Sequence, residues 1–125
     1  MRSLVCPLRY LPVLLTLAWT HPAAATDPLP IIEGVSSQPF AAQAERVAEA
    51  LRFLGRPLSP AKITALDEAT HQSDASKVAK DIQQILDPLT LAYVTINPES
   101  RVKAQRGMAP PRLLQNGWTV YLIKV

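Results

Sequence analysis

These 125 residues have room for one small domain. Thirteen basic and ten acidic side chains give a net charge of +3, and the single cysteine excludes a fold that is held by internal disulfides. Stability must therefore come from packing, from a partner or from additional chain.

The first 25 residues have the layout of a secretory signal peptide. Arg2 and Arg9 form a positive n-region, Tyr10–Trp19 is a short apolar h-region, and three alanines at 23–25 provide a cleavage site. This apolar run is too short to span a bilayer, which takes about 20 residues. We predict an exported protein, periplasmic or extracellular, whose mature chain begins at Thr26. Cleavage removes two arginines and the only cysteine, and lowers the net charge from +3 to +1.

Residues 26–38 contain two prolines, a glycine and two serines, and are predicted to form an extended lead-in. A helix is predicted from residue 39, with Ser36 or Ser37 as its cap and Gly55 as its end. Its apolar positions recur at steps of four and three, at Phe40, Ala44, Val47, Leu51 and Leu54.

Two further helices follow, and the three helices together form a predicted helical segment over residues 39–87. Ser59, followed by a proline at the first helical position, begins the second helix, and Ser73 or Asp74 caps the third. Pro88 takes the preceding residue out of helical geometry and ends that helix. The predicted buried positions are Ile63, Leu66, Ala69, Val78, Ile82, Ile85 and Leu86.

Residues 88–125 change to the pattern of strands. We predict strands at Leu89–Asn97, Arg101–Gln105 and Trp118–Val125, with a turn at 97–100 and a single helical turn within 111–117. The third strand is apolar on both faces, with Trp118 packed in the core, and a strand of this kind expects cover on both sides, as a central strand does.

Too few strands are present for a sandwich or barrel. The predicted fold class is therefore α+β, with three short helices followed by the first strands of an incomplete β-sandwich-like domain. Either the chain is a truncated product, or a partner or a second copy provides the missing half. Self-association through exposed strand edges is also expected.

The segment Leu86–Val125 resembles part of a known family. It contains "VTINPESRVK" and, further on, a Gly-Trp pair followed by "LIKV". This is similar to a stretch near the N-terminus of large exported bacterial proteins that look like metallohydrolases of the CehA/McbA type, whose catalytic part is a metal-binding PHP-like domain. The resemblance implies an accessory N-terminal region. Because the family's metal-binding His/Asp motifs do not occur in this sequence, no catalytic residue carries over.

Asp67 and His71 are the candidate metal ligands, since a spacing of four residues places them on one helix face. A catalytic zinc site takes three protein ligands, and the only other histidine, His21, lies in the predicted signal peptide. The alternative is a solvated helix end, where a positive His71 is favoured. Ser59 and Lys62 match the Ser-x-x-Lys pattern of acyl-enzymes without its partner motifs, and capping explains the serine. We predict no enzyme activity, cofactor or metal.

Basic side chains are concentrated near the end of the sequence, where residues 101–125 carry five positive charges and no acid. The candidate anion-binding face consists of Arg101, Lys103, Arg106 and Arg112. The alternative is a solvated sheet face, or charges that pair with acids of additional chain. Nucleic acid is not the expected ligand, because no aromatic side chains are interleaved with these charges.

The predicted function is that of a non-catalytic N-terminal accessory or scaffold segment of an exported hydrolase-like protein. Its expected partner is the chain that completes the sheet, and no membrane span is expected after cleavage. The alternative is a stand-alone periplasmic binding or inhibitor module that acts through an exposed strand edge or the basic face.

Overall fold

A computed structural model of the protein describes residues 27–125, and the predicted signal peptide lies outside this range. An extended lead-in is followed by three helices and three strands, which confirms the predicted α+β class. In chain order the elements are α1 (Ser37–Phe53), α2 (Pro60–Thr70), α3 (Ala75–Leu86), a short 3-10 helix (Asp87–Leu89), β1 (Thr90–Ile96), β2 (Val102–Arg106) and β3 (Leu122–Lys124).

Two of the three helix starts have the predicted side-chain caps. The Ser59 hydroxyl accepts a hydrogen bond from the Lys62 N–H, and the Asp74 carboxylate accepts one from the Ser76 N–H. Each bond satisfies a donor that has no partner within the helix. Ser36 occupies the cap position of α1, but its side chain accepts no hydrogen bond there.

The hydrophobic core lies where the three helices meet, around the fully buried Ile82 of α3. Its buried members are Ala44, Leu51, Leu58, Leu66, Ala69, Val78 and Ile82. The helical spacing predicts most of this set. Leu54 is exposed because it follows the last turn of α1, and Ile63 of α2 is exposed as well.

β1 is the central strand of the sheet. β2 pairs with it antiparallel on one side, and β3 pairs with it parallel on the other. The turn at 97–100 joins β1 to β2 as predicted, and the Asn97 side-chain oxygen accepts a hydrogen bond of 2.7 Å from the Arg101 N–H. The predicted length of the third strand is wrong, because β3 has three residues and does not extend over Trp118–Val125. Within the described residues β3 lies at an edge of the sheet.

Residues 107–121, here called the crossover loop, carry the chain from β2 to β3. The Tyr121 hydroxyl donates to the backbone carbonyl oxygens of Pro110 and Arg112, so the residues just before β3 are held against the loop and not against β1. The helical turn predicted within 111–117 does not form. The prediction that Trp118 packs in the core is also wrong, because its side chain is almost fully exposed in this loop.

The side chain of Gln83 in α3 hydrogen-bonds the backbone of the lead-in and so connects it to the helical segment. Its side-chain oxygen accepts a hydrogen bond from the Ile32 N–H at 2.8 Å, and its nitrogen donates to the carbonyl oxygens of Ile32 and Ala79, both at 3.0 Å. The buried amide therefore bonds Ile32 much as a neighbouring strand would, and all of its hydrogen-bonding groups have partners.

Replacement of Gln83 by leucine should lower the free energy of unfolding by about 1–2 kcal/mol, because the Ile32 backbone loses its partners. Urea unfolding measures this cost, and limited proteolysis should show faster cleavage in the lead-in. The matched control is Gln84→Leu, at the adjacent exposed position. Equal stability and equal cleavage rates in the two variants would contradict the role given to Gln83.

Candidate functional site

Asp67 and His71 lie at the exposed C-terminal end of α2. The His71 Nδ1 is 2.7 Å from the Asp67 carbonyl oxygen and 3.5 Å from its carboxylate. The hydrogen bond to this carbonyl, together with the carboxylate charge, raises the pKa of His71 above its ordinary value. Among residues 27–125, no group of three or more metal-binding side chains converges. The geometry is that of a capped helix end that favours the protonated imidazole.

The four predicted anion-binding residues are all exposed but do not form one face. Lys103 of β2 is opposite Thr95, and Arg101 shares its side of the sheet by strand alternation. Arg106 is opposite Ala92 and therefore points to the other face. The remaining member, Arg112, is in the crossover loop. The Arg101 guanidinium is also 3.5 Å from the Glu99 carboxylate, which offsets part of its charge.

Lys124 is separate from the other basic residues, although sequence reasoning counted it with them. Its Nζ lies 3.0 Å from both carboxylate oxygens of Asp87 and 2.9 Å from the Pro30 carbonyl oxygen. Both charged side chains are nearly buried, with 12% and 11% of their surface exposed. This ion pair joins β3, the 3-10 helix and the lead-in, so Lys124 has a structural role.

One face of the sheet is apolar and has little cover. Directly opposed residues in neighbouring strands point to the same face, so the pairings place seven side chains together, six apolar ones and Arg106, which lies opposite Ala92. This apolar sheet face consists of Ala92, Val94, Ile96, Val102, Ala104 and Ile123. Ile96, Val102 and Ile123 are exposed. Within residues 27–125, no helix packs extensively against β1 or β2.

A groove of about 420 Å³ runs beside β3, and is here called the β3 groove. Four consecutive residues, 122–125, line it. The lining also includes Gln83, Asp87 and Thr90, so the groove lies between β3, the start of β1 and the end of α3. Its opposite wall is largely apolar and includes Val35, Phe40, Val47 and Leu86. In the described part of the chain, β3 is paired only with β1, so its outer edge has no strand partner.

Sequence reasoning missed the groove and its ion pair because both depend on contacts between distant segments. A lysine within an apolar strand was the one available signal for the Asp87–Lys124 pair.

For residues 27–125, no helix is both long and apolar enough to cross a membrane. Comparisons with protein-family models, curated proteins and solved structures found no match to this chain.

Proposed function

We propose that this chain is a non-catalytic accessory or scaffold segment of an exported protein, and that further β-structure completes its sheet. The observation that carries this proposal is the apolar sheet face. The family resemblance of "VTINPESRVK" would imply the same role, although the comparisons with known proteins match no part of the chain. The helical segment would supply the folded core to which the sheet is attached.

The energetics favour a covered sheet face. Full burial of a valine or isoleucine side chain contributes about 1.5–3 kcal/mol, and Ile96, Val102 and Ile123 are all exposed. A pleated apolar face suits a second sheet packed about 10 Å away, as in a sandwich. Contiguous exposed apolar surface of this kind is typical of an interaction site.

A lysine on the apolar sheet face tests this proposal. Sedimentation velocity over a concentration series should show that the unmodified chain associates as its concentration rises. Val102→Lys should shift this association to concentrations at least about tenfold higher, because a charged side chain resists burial. The matched control is Gln105→Lys, which adds the same charge to the same strand on the opposite face. Identical association of these two variants would contradict the proposal.

The β3 groove favours a second candidate function, that of a stand-alone binding or inhibitor module. An extended peptide could pair with the free edge of β3 and place its apolar side chains against Phe40 and Val47. Val47→Arg tests this mode in the same sedimentation experiment. If the chain associates by placing an extended segment of a second copy in the β3 groove, this variant should weaken the association. A reading frame that continues in sense past Val125 would favour the scaffold segment, whereas a stop codon and a stable monomer would favour the module.

A further inference from the structure

We propose that the crossover loop docks on the surface of an anionic lipid bilayer, with Leu113, Leu114 and Trp118 inserted at the interface. This inference is independent of the proposed scaffold role. It rests on the geometry of the loop and on the charges around it.

The three apolar side chains extend into solvent from a fixed turn. Their exposed fractions are 86% for Leu113, 62% for Leu114 and 94% for Trp118. The Gly117 N–H donates to the Leu114 carbonyl oxygen at 3.3 Å, which closes a turn between Leu114 and Trp118.

The base of this turn is held in place by Tyr121. Its hydroxyl donates to the carbonyl oxygens of Pro110 and Arg112, which come just before the two leucines. A projecting apolar turn with a fixed base loses little conformational entropy when it binds a surface.

A bilayer surface suits this shape better than a protein layer does. A protein would need a matching pocket for each projecting side chain, whereas the bilayer interface accepts them without one. Tryptophan is enriched at that depth because its ring is apolar and its N–H stays close to water. The backbone groups of the loop also remain hydrated there, which the hydrocarbon core would not allow.

The charge around the loop points to anionic lipid. Residues 101–125 contain no Asp or Glu. The exposed Arg112 directly precedes Leu113, and the exposed Arg106 is the last residue of β2, just before the crossover loop. Each basic residue near a negatively charged leaflet adds about 1 kcal/mol of attraction. Apolar side chains flanked by basic ones are typical of segments that lie on a membrane surface.

Trp118 itself can report the insertion. The predicted mature chain, which begins at Thr26, contains Trp118 as its only tryptophan, because Trp19 lies in the predicted signal peptide. This protein is titrated with vesicles of equal parts phosphatidylcholine and phosphatidylglycerol. The emission of Trp118 should shift to shorter wavelength, and brominated phosphatidylcholine should quench it. Vesicles of phosphatidylcholine alone should produce a much weaker shift.

Two variants of this single-tryptophan mature chain make the test specific for the crossover loop. Leu113→Ser with Leu114→Ser should lower the vesicle affinity reported by Trp118 by more than tenfold, because two apolar anchors are lost. Phe53→Ser is the control, since Phe53 is an apolar side chain with 88% exposure on α1, outside the loop. It should leave the affinity unchanged.

Three results would overturn the inference. In the first, the protein sediments with vesicles while the emission of Trp118 does not change, so another segment binds. In the second, the emission shifts with protein concentration in the absence of vesicles, so the loop contacts protein. In the third, neutral and anionic vesicles bind equally well.

Discussion

Gly107→Ala is expected to lower the free energy of unfolding by about 3 kcal/mol, since steric overpacking at a rigid site has costs of this size. A Cβ at this position would lie 2.0 Å from the Thr90 carbonyl oxygen and 2.8 Å from its carbon. Neither atom can move freely, because both belong to the central strand. The Gly107 N–H also donates to the Leu91 carbonyl oxygen at 2.8 Å, so the close approach is part of the sheet.

Gly34→Ala is the control that separates this steric effect from the conformational effect of replacing a glycine. A Cβ at Gly34 would have no atom within 4 Å, but its φ is +73°, which an alanine adopts only with strain. This variant should cost about 1 kcal/mol. Urea unfolding of both variants measures the difference. If Gly107→Ala is no more destabilising than Gly34→Ala, then β1 and the start of the crossover loop are not packed as described.

Lys124→Met is expected to cost about 3 kcal/mol, the lower end of the range for breaking a buried ion pair. The variant leaves the Asp87 carboxylate nearly buried without its cation, and the Pro30 carbonyl oxygen without a donor. The methionine replaces most of the apolar volume of the lysine chain, so the loss reports the charge. Thermal or urea unfolding with a circular dichroism signal provides the measurement.

The double variant Asp87→Leu with Lys124→Met should regain most of this loss, since no charge is then left unpaired. The matched control is Arg101→Met, which breaks the exposed pair with Glu99 and should cost less than about 1 kcal/mol. A loss in Lys124→Met no larger than that in Arg101→Met would show that the Asp87 pair does not hold β3 in place.

Local chemistry accounts for the part of the fold that the sequence predicts well. The cap residues Ser59 and Asp74 act on backbone groups three or fewer residues away, and the apolar spacing of α3 places Val78 and Ile82 in the core. The Asn97 turn is equally local. Each of these signals is complete within a single turn or helix, so no distant segment has to be known.

Some failures are local, such as the missing Ser36 side-chain cap and the exposure of Ile63, but the larger ones concern contacts between distant segments. Apolar β-branched residues near Trp118 favour a strand, but the Tyr121 hydroxyl bonds back to the crossover loop, and pairing begins only at Leu122. The bonds from Gln83 to Ile32 and from Lys124 to Asp87 span 51 and 37 residues. Composition and periodicity carry no information about pairs this far apart. For the same reason, the division of the basic cluster between two sheet faces emerges only from the register.

Hydrogen exchange of the backbone amides, measured residue by residue on the monomeric chain, tests most directly whether the sheet requires completion. Amides of β2 and β3 should exchange much faster than those of α3 around Ile82, because a sheet with a bare face and free edges opens at low cost. Protection in β2 and β3 equal to that in α3 would contradict this account, since it would mean that the sheet is stable without any added layer.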